Sequence, residues 1–315
     1  MASDGSSYKR QWGNVLPAPQ FCDSAGVRLA VYCQGDPSKP NIVLVHGYPD
    51  NSSVWNLLVE YLANTFYVIR YDVRGAGNSS APTHRSGYLL SCLQADLEAV
   101  VAQFCTQAQF HLLAHDWGSV QCWESVCCPR FQKKIASYTS ISGPSLDHAG
   151  HWFRRRWQER GGKWGVIKQV FRSWYIWFFH LPLFPSLLWR MLLGRSWRAL
   201  LVLFEGLNPG KDELCAARQR ARDGVNGINL YKDNCVSHFH RPRWRMSWVP
   251  IQVVVASDDR FLNTDLCADI GVWAPNVVTR SVHGGHWLPL SRPSLVASLV
   301  ADFVQANPVE RRDLQ

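Results

Sequence analysis

Residues 110–118 read FHLLAHDWG, a largely apolar run that ends in a carboxylate set between small residues. Few folds accommodate such a run. It is too short for a core helix and lacks polar alternation, so it reads as a strand buried on both faces. Ala114 and Gly118 stand two residues either side of Asp116. That spacing suits a sharp strand-to-helix turn, where small flanking residues let the chains pass close together. A helical pattern follows over 117–127. The layout is that of G-x-S-x-G, whose middle residue is a nucleophile, with aspartate in place of serine.

Further strand-like runs lie at 27–33, 41–46, 66–71, 135–142, 251–256 and 277–282, with helical patterns at 53–64, 88–106 and 292–305. Strand alternating with helix places the chain in the α/β class, with a mostly parallel sheet. The segment 147–245 breaks this alternation and reads as helices separated by Pro and Gly. Residues 151–245 hold 18 Lys+Arg against 6 Asp+Glu and eight of the fifteen tryptophans, while the rest of the chain is slightly acidic. The expected organisation is therefore a core of 1–146 and 246–315 with an inserted helical cap at 147–245, placed over the C-terminal edge of the sheet. Trp mixed with Arg matches no nucleic-acid module, but it is compatible with peripheral membrane contact through the cap. The run SWYIWFFHLPLFPSLLW contains two prolines and is short for a membrane span. The opening MASDGSSYKRQW has no apolar core, so a cytoplasmic location is expected. The ten cysteines form no C-x-x-C pair and read as buried thiols.

Each strand of the core gives way to a polar motif: HGYPD at 46–50, YDVRGAGNS at 71–79, HDWG at 115–118, ASDDRFL at 256–262 and GGHWLPL at 284–290. In α/β sheets that edge is where ligands bind. An aspartate needs no base to deprotonate it, which frees a histidine to activate water in a later step. Asp116 is thus the candidate nucleophile and His286 the candidate base, oriented by Asp259 or Asp258. Other residues take plainer readings. His148 and His151 lack further ligands for a metal, His283 is structural, and Gly75 and Gly77 shape a turn at the pocket floor. Asp72 and Arg74 are expected to form a buried ion pair, and Asp96 and Glu98 a solvated helix face. No cofactor or metal is expected.

In these motifs the chain resembles the α/β-hydrolase fold family, in its epoxide hydrolase branch, and in detail the hydrolase module fused to some short-chain dehydrogenases. The resemblance runs from about 20 to 306 and is carried by HDWG, HGYP and GHW, in the family's order of nucleophile, acid and histidine. The chain stops at 315, so no dehydrogenase partner is expected. The resemblance implies an α/β-hydrolase fold with a cap and an alkyl-enzyme ester formed on Asp116. Family spacing after Ala256 favours Asp259 as the acid. The N–H groups of Tyr48 and Trp117 would receive the oxyanion, and the Tyr48–Pro49 bond is often cis in the family. Two cap tyrosines protonate the epoxide oxygen there. GINLYKDN places Tyr231 as one donor, whereas Trp177 or Phe178 stands at the second position, as cap residues against the substrate. This departure leaves a single-tyrosine mechanism or Tyr175 as a displaced second donor.

The implied activity is opening of a hydrophobic epoxide to a vicinal diol, since a cap rich in Trp and Phe calls for an apolar substrate. Haloalkane dehalogenase is the alternative, with the same triad and ester; Tyr48, where that family commonly has asparagine, weighs against it. Fluoroacetate dehalogenase would need Arg after the nucleophile, and Asp116 argues against a serine esterase. A non-catalytic binding protein on this fold would be expected to have lost a triad member. The basic cap residues are read as decoration of its outer surface. Oligomeric state is not legible.

Overall fold

The seven strand-like runs become seven of the strands of one eight-stranded sheet. The computed structural model describes residues 17–207, 215–267 and 269–309. Its strands are β1 (Gln20–Ser24), β2 (Val27–Gln34), β3 (Asn41–Val45), β4 (Tyr67–Tyr71), β5 (Phe110–His115), β6 (Ile135–Ile141), β7 (Ile251–Ala256) and β8 (Val277–Val282). They lie in the order β1-β2-β4-β3-β5-β6-β7-β8. β2 runs antiparallel to β1 and β4, and the remaining pairs are parallel.

Alternation along the strands explains their unbroken hydrophobicity. In β3, Val43 and Val45 face one core, while Ile42 and Leu44 face the other. The first core is covered by α2 (Leu90–Phe104) and α3 (Trp117–Val126), the second by α1 (Asn56–Leu62) and α10 (Pro293–Ala306). Every residue of β3 and β5 is buried, as a strand covered on both sides must be.

β1 has no counterpart in the sequence reading. It is an edge strand with only Cys22 and Ser24 turned inward, and its QFCDS carries too little apolar character to stand out. The solvated face expected of Asp96 is also corrected. Asp96 is buried on the same stripe of α2 as Leu93 and Val100, where its carboxylate takes the Arg74 guanidinium at 2.5 and 2.6 Å. Asp72 therefore does not pair with Arg74. It accepts instead from Ser52 N (2.9 Å), Asn78 N (2.7 Å) and Tyr32 OH (3.0 Å), holding the loop after β4 through neutral donors.

Between β6 and β7 stand α4 (Leu146–Gln158), α5 (Lys163–Arg172), α6 (Trp174–His180), α7 (Phe184–Leu188), a π-helical turn (Trp189–Leu193), α8 (Gly194–Glu205) and α9 (Ala217–His240). Pro182 separates α6 from α7, and Pro185 sits in the first turn of α7, where its missing N–H costs nothing. The long α9 is the beam that joins this layer to the sheet. The buried Asn234 side chain accepts from Leu90 N (2.9 Å) and donates to Tyr88 O (2.9 Å). Further along, Asp223 accepts from Gly77 N (3.0 Å), and Asn226 donates to Gly75 O (2.8 Å). The glycine turn at 73–79 is thus a docking ledge for α9 and does not line the main cavity, contrary to the expected pocket floor.

A second tie closes the opposite end. Asp147, where the helical layer begins, and Glu124 on α3 share the guanidinium of Arg243, where the layer ends, at 2.8 and 2.5 Å. Arg245 also donates to Glu124. With His238, these two carboxylates are the one grouping of metal-ligand types that converges among the described residues, and guanidinium groups already fill it.

Candidate active site

The turn after β5 holds Asp116 at φ +51° and ψ −126°, a conformation L-residues avoid. Two close approaches make it possible. A side chain at Gly118 would put a Cβ 2.1 Å from the Val45 carbonyl oxygen, and one at Gly47 would put it 2.4 Å from Asp116 Oδ1. The strain sets the carboxylate at the C-terminal edge of the sheet, facing the helical layer. Asp116 Oδ1 accepts from the Tyr48 backbone N–H at 2.7 Å. The Trp117 amide opens α3, where first-turn N–H groups have no acceptor within the helix. The Tyr48–Pro49 bond is cis. Tyr48 serves through its backbone, because its hydroxyl is turned away to donate to Gly224 O at 3.0 Å.

His286 lies between two carboxylates. Its Nδ1 is 2.9 Å from Asp259 Oδ2 and its Nε2 3.3 Å from Asp116 Oδ2. The second Asp259 oxygen accepts from Phe261 N (2.8 Å) and Leu262 N (3.0 Å), which fixes its orientation. Burial opposes charge on each member, yet their mutual attraction outweighs it. Asp259 is pushed down to about 2, chiefly by the His286 charge and hydrogen bond, and His286 is raised well above its ordinary value by Asp259 and Asp116. Asp116 is held below the usual carboxylate range, as its hydrogen bond to His286 and the His286 charge overcome desolvation. Asp258, the other candidate acid, is exposed and faces His283 at 3.0 Å in a surface pair.

Above Asp116 and His286 lies a cavity of about 250 Å³, almost wholly apolar in lining. Tyr175 and Tyr231 both line it, their rings edge-to-face at 5.7 Å. The Tyr231 ring also packs edge-on against Trp117 (4.8 Å) and Tyr48 (5.3 Å). No hydrogen bond joins either tyrosine hydroxyl to a described residue. Burial pushes both phenols well above their ordinary value, which keeps them protonated. On α6 it is Tyr175 and Phe179, one helical turn apart, that face inward, with Phe179 against Tyr48 and Tyr231. Trp177 stands at the cavity mouth, largely exposed. Phe178 does not line the cavity; its ring packs on Trp174 and Phe184, so its expected substrate contact is corrected.

Three residues had gone without a role in the sequence reading. His115, inside the HDWG motif, places Nε2 2.9 Å from the His286 carbonyl and so braces the backbone of the base. Phe261 stacks edge-on against His286 at 4.9 Å and lines the cavity. Gln169 of α5 donates to Phe261 O and accepts from Asn263 N, tying the helical layer to the loop that carries Asp259. His115 and Phe261 sat inside quoted motifs, but nothing in the spacing marked Gln169. His148 and His151 stack on Trp273 and bond backbone carbonyls.

A family model described as the alpha/beta hydrolase fold matches residues 40–182. The chain is 35% identical over 286 residues to the Mycobacterium tuberculosis protein named Probable oxidoreductase EphD, covering 88% of this chain and 48% of that one. It thus spans about half the length of the curated relatives it matches first. It is 24% identical over 307 residues to Epoxide hydrolase 4 of Mus musculus, covering 92% of this chain and 79% of the relative. Among solved structures, Epoxide Hydrolase A from Mycobacterium thermoresistibile superposes with a TM-score of 0.75 at 20% identity, covering 93% of this chain and 100% of that one. An eight-stranded, mostly parallel sheet, an aspartate on a strained strand-to-helix turn and these likenesses agree: the chain has the α/β-hydrolase fold.

Proposed function

We propose that the chain hydrolyses hydrophobic epoxides to vicinal diols in two steps. Asp116 Oδ2 attacks a ring carbon, the carbon–oxygen bond breaks, and the leaving oxygen takes a proton from Tyr231 or Tyr175. A phenol with its pKa near or above 10 is matched to an alkoxide, which is far more basic. His286 then removes a proton from water, whose oxygen adds to the Asp116 carboxyl carbon. Negative charge gathers on Oδ1, where the Tyr48 N–H already points and the Trp117 N–H is available. Collapse releases the diol oxygen, which takes the proton from His286, and the second water proton restores the phenol. Asp259 holds the imidazole and stabilises its cation throughout.

One observation carries this reading: two protonated phenols line the same apolar cavity as the nucleophile and the base. A dehalogenase needs no such acid. The test is a parallel assay of styrene oxide and a long-chain epoxide for diol, and of a bromoalkane for halide. Diol without halide is expected, and halide without diol would overturn the proposal.

A further inference from the structure

We infer that the outer face of the helical layer, α5 to α8, docks on an anionic lipid surface. Among the described residues, fifteen of the twenty-four exposed large apolar side chains fall between Trp157 and Phe204. Several stand nearly free of the protein: Leu183 is 84% exposed, Trp164 76%, Phe171 74% and Leu203 71%. A folded monomer rarely leaves so much contiguous apolar surface uncovered.

Contacts join the central ones into one face. Trp164, Phe171, Trp174 and Phe204, from three helices, line a single surface groove of about 950 Å³, whose charged lining is Lys168, Arg172 and Arg260 against one acid, Asp265. The rings of Trp174, Phe178 and Phe184 continue it across the bend between α6 and α7 in steps of 5.9 and 5.8 Å. There, α6 and the helical run Phe184–Glu205 meet at 102°, so that Leu181, Leu183 and Leu187 crown a corner. No single described helix is long and apolar enough to cross a membrane. The geometry fits helices lying in the interface with apolar side chains downward and cationic side chains reaching outward.

Charge selects the occupant. From Arg160 to Phe204 the chain carries seven Lys and Arg and no Asp or Glu. A second copy seated on this face by two-fold symmetry would bring cation against cation. Anionic headgroups are its complement, with the aromatic side chains reaching the acyl boundary. The face also carries the mouth of the catalytic cavity, since Val170 and Trp177 line that cavity and are exposed. Phe261 stands between the outer groove and the cavity, because it lines both. Resting on the epoxide reading, this places a lipid-dissolved epoxide at the entrance.

The test is flotation of the full chain with phosphatidylcholine vesicles, with and without phosphatidylglycerol, at low and high salt. Binding to the anionic vesicles alone, weakened by salt, is expected. Leu183→Asp/Leu187→Asp and Lys163→Glu/Lys168→Glu should each lower partitioning by roughly tenfold or more, with styrene oxide turnover in buffer unchanged. A wild-type chain that ignores anionic vesicles overturns the inference, as do variants that bind like wild type. So does a wild-type dimer that either variant dissociates, which would assign the face to a second copy. Flotation needs no catalysis, so its outcome stands even if no epoxide is turned over.

Discussion

Replacing His286 with glutamine separates the two proposed steps. The nucleophile does not depend on His286 for its position, because the strained turn and the Tyr48 N–H at 2.7 Å hold Asp116 from the other side. Attack should therefore survive. Hydrolysis should not, since a positioned general base is worth about 10²–10⁴ in rate, and here that whole factor belongs to the water step. Steady-state turnover should fall by about 10²–10⁴, while the ester accumulates toward one per active site. A second effect follows from electrostatics. Loss of the His286 hydrogen bond and charge leaves Asp116 with burial as the dominant influence, so its carboxyl titrates higher than in the wild type. Ester formation in the variant should speed up as pH rises, until Asp116 is fully ionised. Intact-protein mass spectrometry reads both, and the added mass equals that of the whole epoxide because ring opening expels no fragment. No adduct at any pH, with an epoxide that the wild type turns over, would refute the two-step scheme.

Removal of the phenols should be graded. Tyr231→Phe and Tyr175→Phe should each lower diol formation by about 10²-fold, and the double variant should reach background; full activity in Tyr175→Phe would leave Tyr231 as the lone donor. Asp259 links the site to acid stability. Its folded pKa of about 2 lies below the ordinary 3.8, so its contribution, roughly 2 kcal/mol, is present above pH 4 and is lost as pH falls through about 2. Urea midpoints of Asp259→Asn should lose this acid-limb dependence between about pH 4 and 2 relative to wild type, and a slope identical to wild type would contradict the assignment.

Much of this was legible in the sequence because it is local. Seven strands showed as apolar runs, and Asp116, Asp259 and His286 each sat in a motif following a strand. What escaped depends on distant partners. Arg74 has Asp72 two residues away and Asp96 twenty-two away, and only the packing of α2 decides for the latter. The position of Asp96 on the stripe of Leu93 and Val100 was a usable signal, because a carboxylate at a core position implies a buried cation. α6 shows the same limit differently: with aromatic residues all round, it offers no amphipathic phase, so which ring faces inward could not be read until Phe179 and Tyr175 were seen against Tyr231.

The cluster of Glu124, Asp147, Arg243 and Arg245 redefines what could be transplanted between relatives. The helical layer looks like a cassette bounded by residues 147 and 245, yet its far end is buckled through Arg243 and Arg245 to Glu124, on the helix that begins beside the nucleophile, while Asp147 at its near end holds the same Arg243. A graft cut at the obvious borders would leave the two arginines without one of their acids unless the recipient supplies a carboxylate at that position. The exchangeable unit is therefore the cassette plus one residue of its host, and chimaeras made with and without that residue should differ in yield before they differ in specificity.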